Sequence, residues 1–331
     1  MAQFVGTVKE LWRYPVKSMA GERIDLASIE KGGLFGDRLW ALRDEGLGEL
    51  TSVRKIPKQL LCTPTYDHEP SGSNVPHVNI QLPGGVEVHS SDAGVNEVLS
   101  DYLNKEVSLC SLQPKSNWRH YRLTEMSGAK AIKKQFATKT LPDMSSISWL
   151  KMLELSVFST PLGRYYDCYP LHLITTNSID KLMEIEPEGD FNSRRFRPNI
   201  VIDSASKLPA FEEFDWVDGR LRIGSMVIKC VSKTVRCSMP AQPQVAFGKD
   251  TKILRTLERN TGRHLGVNAT VVRCGQIKEG DRVEWIPAQH SSLRQKLSPI
   301  SGRVRSNLIH NSMKAVDRIN DFKASKLKGV K

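Results

Sequence analysis

The sequence predicts an α+β fold that is rich in β-strands and divided into two domains. Its 331 residues suffice for about two domains with buried cores, at roughly 150 residues per domain. Glycine turns separate short strand patterns in the first 60 residues. Strand patterns return in the second half without a regular alternation of helices and parallel strands. The 39% of apolar and 25% of charged residues exclude fibrous and low-complexity classes.

The N-terminal part is predicted to be a small sheet or barrel with one helix. Apolar and polar residues alternate along the first strand; the apolar face holds Phe4, Val8, Trp12 and Tyr14, and the polar face holds Thr7, Lys9 and Arg13. A second strand is predicted at 39–42, a hairpin at 77–90 and a helix at 95–103. Ser91 or Asp92 is expected to cap that helix.

The pattern weakens between 113 and 167, which we interpret as a junction carrying an insertion with one helix at 129–136. Strand and helix patterns then return. The predicted strands cover 171–174, 196–202, 221–223, 226–235, 266–272 and 282–286, and the predicted helices cover 179–185 and 251–260. Thr175, Thr176 and Asn177 are expected to cap the first of these helices.

Positive charge is concentrated near the end of the chain. The 48 Lys and Arg residues exceed the 36 Asp and Glu residues by 12, which favours an anionic ligand, partner or surface. From 290 to 331, ten basic residues accompany two acidic ones, so this segment alone carries +8. Such a terminus is usually solvated; binding of nucleic acid or of a membrane is the second interpretation.

Six cysteines occur without a Cys-x-x-Cys pair. A zinc ribbon or an iron–sulfur cluster uses closely spaced thiolates, so both are disfavoured. The chain starts without a basic region followed by an apolar stretch, and no run reaches the roughly 18 apolar residues of a membrane span. These features predict a reduced, soluble, cytoplasmic protein without structural disulfides.

Cys237 is the thiol best suited to chemistry. It is expected at the end of a strand, directly after Arg236 and before Pro240, where the chain turns. Neighbouring cations favour the thiolate, which is the form that attacks or ligates a metal. The alternative is a small apolar residue at a strand end, the usual role of a single cysteine.

Basic residues recur where predicted elements begin or end. The set consists of Lys17 with Ser18 after the first strand, Arg38 before the second, and Arg194, Arg195 and Arg197 before Pro198. Arg offers a planar fork of donors to phosphate oxygens, Lys a mobile charge and Ser a further donor. The set would therefore fit one phosphorylated ligand if it converges; scattered surface charges are the alternative.

Several common site types are missing from the sequence. It contains no Gly-x-x-x-x-Gly-Lys-Ser/Thr loop and no Gly-x-Gly-x-x-Gly dinucleotide fingerprint. The eight histidines form no metal-binding pair at helical spacing, and no Gly-x-Ser-x-Gly elbow occurs. Nucleotide-binding folds, zinc hydrolases and serine hydrolases are therefore disfavoured.

Segments in both halves of the chain resemble one known family. Tyr14-Pro15-Val16-Lys17-Ser18 and Gly36-Asp37-Arg38-Leu39-Trp40 are similar to the β-barrel module that precedes a MOSC domain, the molybdenum-cofactor sulfurase C-terminal type. Residues 173–178, 195–201, 235–237 and 265–281 resemble the MOSC domain itself. The resemblance implies a β-barrel-like module at 1–120, a junction at 121–170, a MOSC β-barrel domain with peripheral helices at 171–287 and a basic tail at 288–331.

The resemblance implies a molybdenum cofactor, a pyranopterin dithiolene that carries a phosphate. In the related amidoxime-reducing components and similar bacterial proteins, the cysteine of the Arg-Cys motif ligates molybdenum, a role that would fall on Cys237. The family pattern assigns cofactor contacts to Lys17, Ser18, Arg38, Thr176, Asn177, Arg197, Asn199 and Arg236. A soft thiolate and a group of cations suit such a cofactor. Pyridoxal phosphate binding is a further association of this family.

The implied reaction is the two-electron reduction of an N-hydroxylated substrate, such as an amidoxime or a hydroxylamine, at molybdenum held by Cys237. Because no cysteine follows Cys274 to hold a cluster, electrons would arrive from a separate flavin, haem or iron–sulfur partner. The basic tail is a candidate docking segment for an acidic donor. Nucleic acid is disfavoured as a partner, and no transmembrane segment is expected.

Two other functions stay open at this point. One is a carrier in which Cys237 holds the molybdenum cofactor or a persulfide for transfer without reducing a substrate. The other is a basic protein that uses a MOSC scaffold to bind nucleic acid. The stretch from Ser238 to Gln244 departs from the Thr-rich sequence and Asp-Pro of many relatives, so the resemblance does not determine the substrate.

Overall fold

Seven strands close into a barrel at the centre of the molecule. The computed structural model describes residues 2–72, 74–288 and 292–328. Its strands are β1 (Gln3–Arg13), β2 (Glu22–Ile24), β3 (Leu26–Glu30), β4 (Gly33–Leu34), β5 (Trp40–Asp44), β6 (Glu49–Leu50), β7 (Thr63–Tyr66), β8 (Val78–Gln81), β9 (Glu87–His89), β10 (Val107–Ser111), β11 (Leu171–Thr175), β12 (Ile200–Ser204), β13 (Arg220–Ile223), β14 (Met226–Val235), β15 (His264–Arg273), β16 (Gly275–Lys278) and β17 (Arg282–Ile286).

The helices lie around the barrel. The α-helices are α1 (Val95–Leu103), α2 (Trp118–Tyr121), α3 (Ala129–Phe136), α4 (Trp149–Val157), α5 (Thr176–Ile185), α6 (Lys252–Thr261) and α7 (Ser292–Lys328). Short 3₁₀ helices lie at Pro57–Leu61, Ser193–Phe196, Glu212–Trp216 and Met239–Ala241. The predicted strand-rich α+β class is confirmed, and the helix predicted at 129–136 is present as α3.

The barrel strands follow the order β12, β11, β15, β14, β13, β17 and β1, and β1 pairs with β12 to close it. Buried aliphatic side chains fill the interior, among them Leu171, Leu173, Ile200, Ile202, Leu221 and Ile228. β11 and β12 run parallel and are joined through α5. The structure therefore contains one β–α–β unit, although the sequence pattern showed no such alternation.

The face predicted for β1 is wrong in part. Val5, Val8 and Leu11 are buried, whereas Phe4 is exposed and Trp12 is only half-buried. The pairing register of β1 shifts at two β-bulges, one on the edge facing β17 and one on the edge facing β12. Because a bulge adds one residue to a strand, it moves the following side chains to the opposite face.

Two predicted element boundaries also differ. The strand predicted from 196 begins only at Ile200, because Arg197 has a left-handed backbone with φ of 53° and Pro198 has no N–H to donate. The predicted cap of α1 is replaced by Gly94, which makes no side-chain cap. The Asp92 carboxylate instead accepts the backbone N–H of His89 at 2.8 Å.

The N-terminal part packs on the barrel as a separate layer with its own core. Two three-stranded sheets, β10-β5-β6 and β7-β8-β9, contribute to it together with α1. Its buried side chains include Val16, Met19, Trp40, Leu42, Ile80 and Leu99. The N–H of Lys17 donates to the carbonyl of Trp40 at 2.8 Å. The turn that follows β1 is therefore anchored in this core.

The predicted junction and the predicted basic tail pack against each other. Ile132 and Phe136 of α3 share an apolar cluster with Ile309 and Met313 of α7. The amide of Asn320 also donates to the Met126 carbonyl at 2.7 Å. The described part of the tail is thus a docked helix and not a solvated terminus, because one of its faces is apolar.

The six cysteines are all free thiols. Within the described residues, no helix combines the length and the apolar composition that crossing a membrane requires.

Candidate functional site

Tyr14 is the centre of a buried basic group where β1 ends and β11 and β12 begin. Its hydroxyl donates to the Pro198 carbonyl at 2.9 Å, and its N–H donates to the Asp37 carboxylate at 2.9 Å. The guanidinium carbons of Arg197 and Arg38 lie 4.1 and 5.0 Å from the centroid of its ring. Since a ring face attracts cations, Tyr14 holds two like charges close together. We define the cation cluster as Lys17, Arg38, Arg197 and Arg236.

Three predicted cofactor residues share an uncommon backbone conformation. Ser18, Arg38 and Arg197 have φ angles of 70°, 53° and 53°. A left-handed conformation at a residue other than glycine costs about 1–3 kcal/mol and persists where surrounding contacts enforce it. At Arg38 the backbone N–H donates to the Tyr14 carbonyl at 2.7 Å. The fold is therefore strained at Arg38 and Arg197, whose guanidinium groups both lie over the Tyr14 ring.

Arg197 is a buried cation with an unused donor. It is 6% exposed, and its Nη1 donates to the carbonyl of Met19. Its buried Nη2 finds no hydrogen-bond partner among the described residues. Burial, with a smaller contribution from Arg38, lowers the pKa of Arg197 to about 10. A buried donor without a partner is destabilising, so this position is suited to an anion that accepts the bond.

Arg236 repeats this arrangement beside His172. Its Nη2 donates to the Phe196 carbonyl at 2.7 Å, and its Nη1 lies 3.3 Å from His172 Nε2. Its buried Nε has no hydrogen-bond partner within the described part of the chain. Burial lowers the pKa of Arg236 to about 10, although the neighbouring Cys237 thiol acts in the opposite direction.

His172 and Asn199 hold the two arginines in place. The N–H of His172 donates to Asn199 Oδ1 at 3.2 Å, and the N–H of Asn199 donates to the His172 carbonyl at 2.8 Å. Burial and the charge of Arg236 lower the pKa of His172 to about 3, so its ring is neutral. Its Nδ1 lies 3.4 Å from the Arg197 carbonyl, and its Nε2 lies 3.4 Å from the Leu265 carbonyl and 3.3 Å from Arg236 Nη1.

Lys17 is paired with a carboxylate from the predicted junction. Lys17 is 5% exposed, and its Nζ donates to Asp167. Burial lowers the pKa of Lys17, and the neighbouring cations Arg54 and Arg38 add to that effect. Desolvation alone would raise the pKa of Asp167, but Lys17 and Arg54 hold it well below the usual range. The junction thus supplies a counter-charge to the cation cluster.

The cation cluster carries an excess of positive charge. Asp37 pairs with Arg38 and Asp167 pairs with Lys17. In the ranges that the structure describes, no carboxylate pairs with Arg197 or Arg236. Four cations and two carboxylates therefore leave a local charge of +2. Because buried charges are stable only when paired, the cluster is suited to a dianionic group.

Cys237 lies between the cation cluster and the insertion helices. It follows β14 by two residues, is half-buried, and packs with Met152 and Cys168 against the apolar cluster of α3 and α7. Its thiol interacts electrostatically with Arg236. Among the described residues, no three His, Cys, Asp or Glu side chains gather as a metal site. A metal at Cys237 would therefore require ligands from outside the protein.

The structure does not bring Thr176 and Asn177 to the cation cluster. Thr176 Oγ1 lies 3.2 Å from Asp203 Oδ1, and the Asn177 amide donates to the Leu208 carbonyl at 2.8 Å. Asp203 pairs with Thr7 on β1, whereas Tyr14 stands at the other end of that strand. At about 3.3 Å per residue, the seven residues from Thr7 to Tyr14 span roughly 23 Å.

Two further residues of the predicted set have structural partners. The Ser18 hydroxyl accepts the N–H of Val53 at 3.3 Å. Arg195 is bound on several sides; it forms an ion pair with Asp190 at 2.7 Å and donates to the Pro240 and Gly248 carbonyls. Because its donors are used in this way, Arg195 fixes the segment after Cys237 rather than extending the cation cluster.

Four members of this site were not predicted as site residues from the sequence, namely Tyr14, Asp37, Asp167 and His172. His172 offers a signal, since it is the one ionisable residue in the buried strand β11. Asp37 stands next to Arg38, and Tyr14 belongs to the motif that ends at Ser18. Asp167 gives no signal, because 150 residues separate it from Lys17.

Comparison with known protein families matches both halves of the chain. The MOSC domain matches residues 163–284, and the MOSC N-terminal beta barrel domain matches residues 5–106. The chain belongs to the MOSC domain family. The predicted resemblance is thus confirmed at the level of the family.

Several curated proteins are similar to this MOSC protein at modest identity. Mitochondrial amidoxime reducing component 2 of Rattus norvegicus is 28% identical over 315 residues, which cover 85% of this chain and 83% of the relative. The protein of the same name from Bos taurus is 24% identical with the same coverage. That from Homo sapiens is 27% identical over 260 residues, 71% of this chain and 66% of the relative. The solved YuaD protein from Bacillus subtilis has a TM-score of 0.39 and 12% identity, covering 87% of this chain and all of that chain.

Two expectations are not tested by these comparisons. Pyridoxal phosphate is not part of any relative's name given above, so its binding stays a prediction. The relatives are named mitochondrial, so a cytoplasmic location of this MOSC protein also stays a prediction.

His172→Gln should remove a pH-dependent part of the stability. The folded pKa of about 3 lies below the ordinary value of about 6.5. Below pH 6.5, the His172 ring is therefore mostly protonated in the unfolded chain, whereas it stays neutral in the folded chain. Wild type should lose about 1.4 kcal/mol of unfolding free energy from this group between pH 7.5 and pH 5.5, and His172→Gln should lose none of it.

Urea unfolding at both pH values measures this difference. The matched control is His68→Gln, since His68 is exposed, and it should keep the wild-type dependence on pH. An identical dependence in His172→Gln and wild type would show that His172 does not contribute as described.

Inorganic phosphate should stabilise the protein through Arg197. At a concentration about ten times its Kd, a ligand specific for the folded state adds about 1.4 kcal/mol. The thermal midpoint of wild type should rise in phosphate relative to sodium chloride of equal ionic strength. This rise should be smaller in Arg197→Met, which lacks the buried donor, and unchanged in the control Arg23→Met at the surface. If phosphate raises the thermal midpoint of Arg197→Met as much as that of wild type, then Arg197 does not bind the anion.

Proposed function

We propose that this MOSC protein is a molybdenum-cofactor oxidoreductase that reduces N-hydroxylated substrates, such as amidoximes and hydroxylamines. The observation that carries the proposal is the pair of buried guanidinium groups, Arg197 and Arg236, each with an N–H that lacks a partner among the described residues. The names of the relatives, amidoxime reducing components, support this reaction class.

The residues present fit a pterin cofactor that bears a phosphate. The cation cluster has a local excess of positive charge, and arginine donors match the geometry of phosphate oxygens. Cys237 supplies one soft ligand, and the dithiolene of the cofactor would supply the others. Arg197 and Arg236 would hold the phosphate or its neighbouring oxygens, with Lys17 and Arg38 as further contacts.

The cofactor, when bound, supplies the two-electron chemistry that reduces the N–O bond. The Sγ of Cys237 would ligate the molybdenum, with the positive charge of Arg236 beside it. His172 stays neutral and keeps Arg236 directed toward the cofactor, and Asn199 fixes His172. Cys237 also packs against the apolar cluster that α3 and α7 form.

Reduction of each N–OH group to N–H requires two electrons from an external source and two protons from solvent, and the oxygen leaves as water. We propose a separate flavin, haem or iron–sulfur protein as that source, in agreement with the sequence-based expectation. The substrate would be a small molecule, because the relatives' name specifies the amidoxime group.

Cys237→Ala should abolish the reduction of benzamidoxime by an artificial electron donor while the fold is kept. The half-buried thiol contributes little packing, so the thermal midpoint should stay close to that of wild type. The matched control is Cys168→Ala, whose side chain packs in the same apolar cluster but is not a proposed ligand. It should retain activity.

Two results would count against this proposal. Full activity of Cys237→Ala would show that the sulfur is not a required ligand. A wild-type protein that contains molybdenum and pterin but reduces no N-hydroxylated compound would instead favour the carrier function.

A further inference from the structure

Helix α7 has a second apolar stripe that faces away from the protein. Its first stripe, which includes Ile309 and Met313, is buried against the insertion. The outward stripe consists of Val304, Leu308, Ala315, Ile319 and Phe322. At 3.6 residues per turn, these five positions fall within a sector of about 60°, on the far side from Ile309 and Met313.

The stripe is part of a concentration of exposed apolar side chains on two packed helices, α4 and α7. Its four large residues are between 45% and 60% exposed. α4, which packs on α7, adds the exposed side chains of Trp149, Leu150 and Leu153. These two helices thus carry seven of the fifteen large apolar side chains that are exposed in the described chain. Such a concentration marks an interaction surface.

The charges beside the stripe are positive. Lys314, Arg318 and Lys323 are exposed on α7. Both acidic residues of the helix are engaged with α3 instead; Asp321 pairs with Lys130 Nζ at 2.8 Å, and Asp317 accepts the N–H of the same lysine at 3.0 Å. The outward side of α7 therefore combines large apolar side chains with cations that form no ion pair within the described part of the chain.

We infer that α7 docks this protein on an anionic membrane surface, with the outward stripe inserted among the lipid headgroups. A helix with large apolar side chains on one face and Lys or Arg beside them binds in the plane of such an interface. The stripe runs along a ridge of roughly 27 Å, at 1.5 Å per residue from Val304 to Phe322. A fluid lipid surface can adapt to a row of protruding side chains, whereas a protein partner would need a matching groove.

A second copy of the chain fits this surface less well. Pairing of two α7 helices along the stripe would place Lys314 and Arg318 of both copies beside one seam, where like charges repel. Anionic lipids instead complement these cations. The inference does not depend on the proposed reaction, because no residue of α7 belongs to the cation cluster.

Vesicle co-sedimentation of the full chain tests this inference. Wild type should bind vesicles of phosphatidylcholine with phosphatidylserine, bind vesicles of phosphatidylcholine alone much more weakly, and lose binding as salt increases. The double variants Leu308→Ser/Phe322→Ser and Lys314→Ser/Arg318→Ser should each bind at least about tenfold more weakly. The matched control Asn307→Ser/Asn311→Ser, with exposed polar positions on the same helix, should bind as wild type does.

Substitutions are preferable to removal of α7, because its deletion would uncover the apolar side chains of Ile132 and Phe136. Circular dichroism and the thermal midpoint should show that each variant keeps the fold.

The inference is overturned if wild type does not bind anionic vesicles, or if either double variant binds as wild type does. A dimer in solution that dissociates in Leu308→Ser/Phe322→Ser would assign the stripe to contact between copies. A third outcome is that wild type does not bind vesicles and that Leu308→Ser/Phe322→Ser reduces substrate more slowly with a protein electron donor but not with an artificial one. This outcome would assign the stripe to contact with that donor.

Discussion

Burial of two guanidinium groups that form no ion pair with a carboxylate of the described residues is the constraint on which this site depends. Moving a cation from water into a protein costs several kcal/mol, even after the protein relaxes. The ring of Tyr14 and the carbonyls of Met19 and Phe196 offset part of this cost for Arg197 and Arg236. The remaining buried N–H groups and the excess charge make the site suited to an anion.

The closed barrel makes this arrangement possible. Pairing of β1 with β12 brings Tyr14 against Pro198, although 184 residues separate them. Left-handed backbone at Arg38 and Arg197 then turns both side chains toward the same ring. A rigid barrel can support such strain, because the strands on both sides hold the turns in position.

The insertion completes the site in two ways. Asp167 provides the counter-charge of Lys17, and the apolar side of Cys237 is formed by helices of the insertion and by α7. Arg263 joins this layer to the barrel; its guanidinium donates to the Phe136 and Ala137 carbonyls at the end of α3, and its own carbonyl accepts the N–H of Arg236. A displacement of the insertion would therefore also shift Arg236 and the adjacent Cys237.

Motifs predicted the strand-rich fold and most of the cation cluster, because Lys17, Arg38 and Arg197 stand at the ends of recognisable strands. Their convergence could not be derived from local pattern, since it depends on long-range strand pairing. The faces of β1 were mispredicted because bulges interrupt its alternation. Asp167 and the docking of α7 had no local signal, since each is defined by a partner far away in the sequence.

The molybdenum and pterin content of the purified protein tests the central claim most directly. The full chain would be produced in a host that makes the cofactor and analysed by metal mass spectrometry and pterin fluorescence. The account predicts stoichiometric molybdenum and pterin in wild type, and a loss of both in Arg197→Met/Arg236→Met with the fold intact. A folded wild-type protein from that host that contains neither molybdenum nor pterin would contradict it.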